Sequence, residues 1–266
     1  MSGKDENKLK AVLREELIEI RDKFGDKRKT EIQDIEDEID IEDLIEEETC
    51  AFTLSSHGYI KRMPVDTYRT QSRGGRGVNA QNLKEEDFVK SLTIASTHDY
   101  ILFFTDMGKV HLRKGYQIPE AGRTARGTAI VNVLPLEAGE SVTAMVITRE
   151  FDDNEFLMMV TRKGTVKRIP FIALKTNRKT GIRAITLEEG DHLINVIRTN
   201  GNDNILLATA QGMAICFNEN DVRVMGRDAA GVRGMMLDAG DYVVGAGIAG
   251  HGKQLLTVTE LHAVIG

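Results

Sequence analysis

The sequence contains no tryptophan, two cysteines and four prolines, and aromatic residues make up only 5% of its 266 positions. Cys50 and Cys216 stand far apart, with no second cysteine or histidine at ligand spacing, which argues against a structural zinc site and for reduced thiols. His57 near Cys50 lacks the further ligands a metal would need. Long apolar runs are missing as well. The uncharged run Ile205–Asn218 is short and includes Thr209, Gln211 and Gly212, so no helix is expected to span a bilayer. The opening MSGKDENKLK is charged throughout, so no secretory leader is expected. Motifs of common enzyme sites are missing too: there is no H-E-x-x-H, no G-x-x-x-x-G-K-[ST] loop and no nucleophile elbow. GRGVNA at 75–80 mimics part of a dinucleotide turn but has no βαβ setting. What is present, 41% hydrophobic and 29% charged residues, suffices for a real core and excludes wholesale disorder.

Basic excess is also lacking, because the formal charge is −6, whereas nucleic-acid-binding domains are usually basic. The average hides a split. Residues 1–48 carry 9 Lys/Arg against 18 Asp/Glu, a net of −9, and the remainder carries 26 against 23, a net of +3. Such asymmetry marks a boundary between modules.

The first module, residues 1–30, reads as a helix. Leu9, Leu13, Leu17, Ile20 and Phe24 recur on one face, Asp5 or Asn7 can cap the start, Glu19 and Lys23 pair at i,i+4, and Gly25 suits the exit. A lone short helix is marginal in water, so the stripe is expected to pack on whatever precedes it in a longer chain. Residues 31–48, EIQDIEDEIDIEDLIEEE, read as an acidic connector; they lack the glycine and ligand order of a hard-cation loop. A polyanion of this kind could instead compete with DNA for a basic surface.

Residues 49–266 repeat themselves. SSHGYIKR, TDMGKVHLR, TRKGTVKR and TAQGMAICF place Gly58, Gly108, Gly164 and Gly212 at spacings of 50, 56 and 48. A second glycine follows each after 19, 19, 17 and 19 residues: Gly77, Gly127, Gly181 and Gly231. A third turn recurs in EEDFV, AGESV, EEGDHL and DAGDYV. Within a copy, β-rich runs flank each first glycine as hairpins, and further short runs add strands, about four per copy. Repeats of this size predict a mainly β, propeller-like fold with blades at about 50–99, 100–155, 156–204 and 205–253. A fifth copy begins at 254–266 with Leu261 in the glycine slot, so the chain reads as a piece that stops inside a blade.

Chemistry concentrates on arginine. Gln71-Ser72-Arg73-Gly74-Gly75-Arg76-Gly77 combines three glycines with two guanidinium groups, which bind phosphate oxygens bidentately. A strained surface turn would carry the same glycines, but Lys61, Arg62 and Arg69 nearby favour an anion-binding corner. Basic residues also recur with the repeat. Lys61 and Arg62, His111 and Arg113, and Lys167 and Arg168 follow the first glycine, while Ile215 and Cys216 take those slots in the fourth copy. Arg76, Arg126, Arg183 and Arg233 surround the second. A belt in register suits phosphate-backbone contact, which fixes position without reading sequence. On this reading Arg73 and Arg76 matter more than Lys163 and Arg178. A protein-interaction propeller, the competing reading, predicts no basic register and little salt dependence.

The septet and the repeats resemble the C-terminal domain of the A subunit of bacterial DNA gyrase, whose diagnostic box is Gln-Arg-Arg-Gly-Gly-Lys-Gly. Gln71, Arg73, Gly74, Gly75 and Gly77 match, Arg76 is conservative, and Ser72 stands for an arginine. LREELIEIRDKFGDKRKTEI is similar to the end of the family's breakage–reunion region and EIDIEDLI to its connector. The related A-type subunit of topoisomerase IV lacks an intact box. The resemblance implies a six-bladed β-pinwheel that wraps duplex DNA so that ATP-driven strand passage introduces negative supercoils. It further implies a bacterial cytoplasmic, nucleoid-associated A2B2 enzyme. The catalytic tyrosine would lie upstream in the same polypeptide, and ATP and Mg would be held by the B subunit. No catalytic residue, metal or cofactor is then expected here, and Tyr59, Tyr68, Tyr100, Tyr116 and Tyr242 are packing residues.

Overall fold

The computed structural model describes residues 3–25, 41–65, 87–250, 252–258 and 263–265. The chain divides into two compact units, Met1–Asp43 and Leu44–Gly266. The first contains helix α1, Gly3–Phe24, whose start places Asp5 and Asn7 inside its opening turns and not at its cap. Its stripe residues Leu9, Leu13, Leu17, Ile20 and Phe24 are exposed.

The second unit is a succession of antiparallel sheets. The first repeat supplies β1 (Thr49–Ser55), β2 (Tyr59–Pro64) and β3 (Val89–Ser96). The second supplies β4 (Tyr100–Thr105), β5 (Lys109–Lys114), β6 (Thr128–Ala129) and β7 (Val142–Thr148). Next come β8 (Phe156–Thr161), β9 (Thr165–Pro170), β10 (Ile182–Arg183) and β11 (Leu193–Thr199). The fourth repeat gives β12 (Asn204–Thr209), β13 (Ala214–Asn218), β14 (Val232–Arg233) and β15 (Val243–Ala249). A short hairpin, β16 (Leu256–Val258) and β17 (Ala263–Ile265), ends the described chain.

The sheet orders are β3-β1-β2-β6, β10-β5-β4-β7, β11-β8-β9-β14 and β13-β12-β15. A blade is therefore not closed by the strands of its own repeat alone, unlike the four-strand copies expected from the sequence. Its fourth strand is a two-residue strand from the next repeat: Tyr59 pairs with Ala129, Lys109 with Arg183 and Thr165 with Arg233. Gly127 and Gly231 make this possible. Their φ values of +96° and +106° are left-handed, and a Cβ would stand 2.6 Å from the Ile60 and Val166 carbonyl oxygens respectively. Among the described residues β13 has no such fourth strand.

The first strand of each inner repeat, β4 and β8, is apolar on both sides because it faces two neighbours. Ile101 and Phe103 point into a cluster with Phe52, Leu54 and Ile60, whereas Leu102 and Phe104 point into one with Leu157, Met159 and Phe171. Met158 and Val160 then pack with Ile205 and Leu207. Period-two alternation here selects which neighbour a side chain touches, so the strands read as continuous apolar runs. Side-chain bonds run from the last strand of each repeat to that of the next, from Lys90 to the Val142 carbonyl (2.7 Å), Thr143 to Ile194 (3.3 Å) and Asn195 to Ala246 (2.9 Å).

Candidate nucleic-acid interface

Segments 119–127, 175–181 and 223–231 each lead into an exchanged strand on the preceding blade, and the first and third also meet that blade through the bridges Arg62 to Glu120 and Arg168 to Val224. Their side chains are largely exposed: Arg123 in the first, Lys175, Arg178 and Lys179 in the second, Arg223 and Arg227 in the third. Arg123 and Arg227 occupy one slot, four residues before the turn glycine, and Arg73 stands in that slot of the first copy. Gln71, Arg73, Gly74, Gly75, Arg76 and Gly77, with Arg69, lie outside the described residues. Arg73, Arg123 and Arg227 each stand 15 residues after the first glycine of their copy, a recurrence that the sequence itself carries. Arg178, expected to matter less, belongs to the same set of loops.

Arg183 and Arg233 are exposed and structurally equivalent, each the second residue of its exchanged strand. The same register position holds Ala129 in the preceding repeat. Arg126 is different. It sits one residue before its glycine and lays its guanidinium 3.7 Å from the centre of the Tyr59 ring, so it is not in register with Arg183 and Arg233.

The basic residues that follow the first glycine are not a surface belt, and this corrects the sequence expectation. Lys61 is 0% exposed, and its ammonium donates to the carbonyls of Gly122 (3.0 Å), Arg123 (3.2 Å) and Ala125 (2.9 Å). Lys167, also 0% exposed, donates to Ala184 (2.7 Å), Arg227 (2.5 Å) and Ala229 (2.9 Å). Burial lowers both lysines, Lys167 to about 8 against the opposing pull of Asp228. Arg168, 5% exposed, meets Glu219 Oε2 at 3.1 Å and Asn220 Oδ1 at 2.8 Å, with Phe156 beneath its guanidinium. Arg62 is turned inward to the Ile118 carbonyl (2.9 Å), Glu48 (3.1 Å) and Glu120 (3.3 Å). Arg113 donates to the carbonyls of Leu112, Val133 and Lys179. Lys61 and Lys167 thus have no N–H left for phosphate, and Arg62, Arg113 and Arg168 already direct donors to backbone oxygens or carboxylates.

His111, three residues after its glycine like Lys61 and Lys167, is buried, and neither ring nitrogen has a hydrogen-bond partner. Among the described residues no three His, Cys, Asp or Glu side chains gather as metal ligands. Nor is any helix among them long and apolar enough to cross a membrane.

The model of the DNA gyrase C-terminal domain, a β-propeller family, matches residues 51–96, 99–149, 155–200 and 203–249, one match per repeat. The chain is 51% identical over 230 residues to the A subunit of DNA gyrase from Clostridium acetobutylicum, a match that covers 86% of this chain and 28% of that protein. It thus spans under a third of the length of the curated relatives it matches. In fold it is similar to the C-terminal domain of DNA topoisomerase IV, with a TM-score of 0.69, 27% identity, and coverage of 80% of this chain and 64% of that one. It is also similar to the DNA gyrase A C-terminal domain, with a TM-score of 0.62, 25% identity, and coverage of 80% and 69%.

Proposed function

We propose a function from one premise: the chain belongs to the DNA gyrase C-terminal domain family. It binds duplex DNA through the exposed arginines and lysines of the loops that enter its exchanged strands, and bends the duplex from one blade to the next. In the complete polypeptide this wrapping hands a chirally ordered segment to the strand-passage machinery of a type IIA topoisomerase. ATP hydrolysis by a partner B subunit in an A2B2 assembly, in the bacterial cytoplasm, then introduces negative supercoils. ATP and Mg belong to that partner on this reading, and catalytic groups lie outside the stretch.

The observation that carries the reading is the recurrence of Arg123 and Arg227 at one step of two of the three described exchange loops, with Arg73 at that step in the septet. Cations repeated along the path of a strand meet phosphates repeated along DNA, whatever the bases. The topoisomerase IV alternative shares the fold, but the sequence is far nearer the gyrase relative.

Titrating the chain with a fluorescent duplex at several salt concentrations tests this. If Arg123, Arg178, Lys179, Arg183, Arg227 and Arg233 each meet a phosphate, log K against log salt should slope at roughly −5. The double variant R123A/R227A should flatten the slope by about 2. An affinity indifferent to salt would support a protein-interaction propeller instead and defeat the proposal.

A further inference from the structure

Each of two exchange loops is held from below by a buried cation of the preceding blade. Lys61 takes three carbonyls of loop 119–127, and Lys167 takes two of loop 223–231 plus Ala184. An ammonium has three N–H donors, so both cages use its capacity in full. The carbonyls engaged belong to equivalent residues: Arg123 and Ala125 in one loop, Arg227 and Ala229 in the other. Both arginines therefore turn their backbone oxygens inward onto a lysine while their side chains stand in solvent.

We infer that Lys61 and Lys167 are positioning residues, which fix the exchange loops so that Arg123 and Arg227 meet phosphate already ordered. The inference rests on the DNA-binding reading above and adds the residues that prepare its surface. Binding to a loop already ordered avoids the entropic cost of ordering it on DNA. An apolar side chain could fill the same channel but would leave three carbonyls without donors.

The second joint is built differently. His111 fills the lysine position with both ring nitrogens unpartnered, and the half-buried Arg113 of the preceding blade gives loop 175–181 a bond to the Lys179 carbonyl at 3.2 Å. That loop also lacks the recurrent arginine, having Asn177 in its place. Caged lysine and recurrent arginine thus occur together and are missing together.

The double variant K61M/K167M, made in the full 266-residue chain, tests the inference by two readouts. Amide hydrogen exchange without DNA should accelerate at least about tenfold in 119–127 and 223–231 and stay unchanged in 175–181. The salt slope of duplex binding should flatten by about 2, as in R123A/R227A, although that variant should leave exchange untouched. Unchanged loop exchange in a folded K61M/K167M chain overturns the inference. So does faster exchange at the wild-type slope when R123A/R227A flattens it. A wild-type slope in the arginine variant overturns instead the DNA reading on which the inference rests. Should the methionine variant unfold, the wild-type chain decides the matter by nitrogen-15 NMR. Two lysine ammonium groups should exchange slowly with water, and their absence would refute the cages.

Discussion

Arg168 and Arg183 look alike in the sequence, both basic and both close to a repeat glycine, yet their surroundings assign them opposite roles. The Arg168 guanidinium lies against Glu219, whose carboxylate is fully buried and also accepts from the Thr199 hydroxyl (2.7 Å), Gly201 N–H (2.9 Å) and Asp203 N–H (2.8 Å). Removing the arginine leaves a buried carboxylate without its cation, which costs far more than a surface charge does. Arg168→Met is therefore expected to lower stability by about 3 kcal/mol in urea unfolding and to leave the salt slope of DNA binding unchanged. Arg183→Ala should do the reverse, with stability within about 0.5 kcal/mol and a slope flatter by about 0.9. A flatter slope for the folded Arg168→Met chain would return that residue to the DNA-contact set.

At the scale of elements the recurring unit is a hairpin turn clamped by a carboxylate from the third recurrent turn. Asp87 accepts from the Ser56 hydroxyl (2.7 Å) and His57 N–H (3.0 Å), Asp191 from Lys163 N–H (2.9 Å), and Asp241 from Gln211 N–H (3.1 Å). The second blade reverses the direction: Asp106, in the hairpin turn, accepts from the Ser141 N–H (2.9 Å) and hydroxyl (3.1 Å). Burial alone would raise the Asp87 carboxyl. Bonds from Ser56, His57 N–H and Ser55, with the charge of His57, outweigh that and hold it at about 2. Asp241 is lowered in the same way by Thr209, Tyr242, Gln211 and Ala210, against its own burial. A carboxylate held below its unfolded value stabilises the fold above about pH 4, and that stability is lost as pH falls through the folded value. Thermal midpoints of the wild type should thus fall between about pH 4 and pH 2 more steeply than those of D87N/D241N. Parallel acid limbs would show that the clamps contribute nothing.

These turns also mark what could be read from the sequence. Gly58, Gly108, Gly164 and Gly212 with their flanking β-rich runs announced the hairpins and their strands. Strand exchange was not legible, because Ile182-Arg183 and Val232-Arg233 are two-residue strands with no periodicity to read. Nor was the inward turn of Lys61, Lys167 and Arg168, since a basic residue on an alternating strand is ordinarily assigned to solvent. Their partners are backbone carbonyls of the next repeat and, for Arg168, a carboxylate about 50 positions away, which no local pattern reveals.

For the whole molecule, net charge and charge placement part company. Before Leu44 there are 9 basic and 15 acidic residues, and from Leu44 onward 26 of each, so the repeat unit is formally neutral. Neutrality there does not oppose DNA binding, because internal pairs remove charges of both signs and what counts is where the remaining cations stand. Glu48 pairs with Arg62, Glu47 with Arg149 and Glu219 with Arg168, while Arg123, Arg178, Arg183, Arg227 and Arg233 remain exposed. The excess of −6 before Leu44 has a different consequence. A tethered polyanion raises the cost of bringing a second polyanion to the same chain, and this effect is screened within a Debye length of about 10 Å at 0.1 M salt. A chain beginning at Leu44 is therefore expected to bind duplex DNA several-fold more tightly at low salt. The two affinities should converge as salt rises to about 0.3 M, with the full chain showing the shallower salt dependence. Fluorescence anisotropy on a single duplex across that range measures both. Equal affinities at the lowest salt would show that the acidic segment does not oppose DNA.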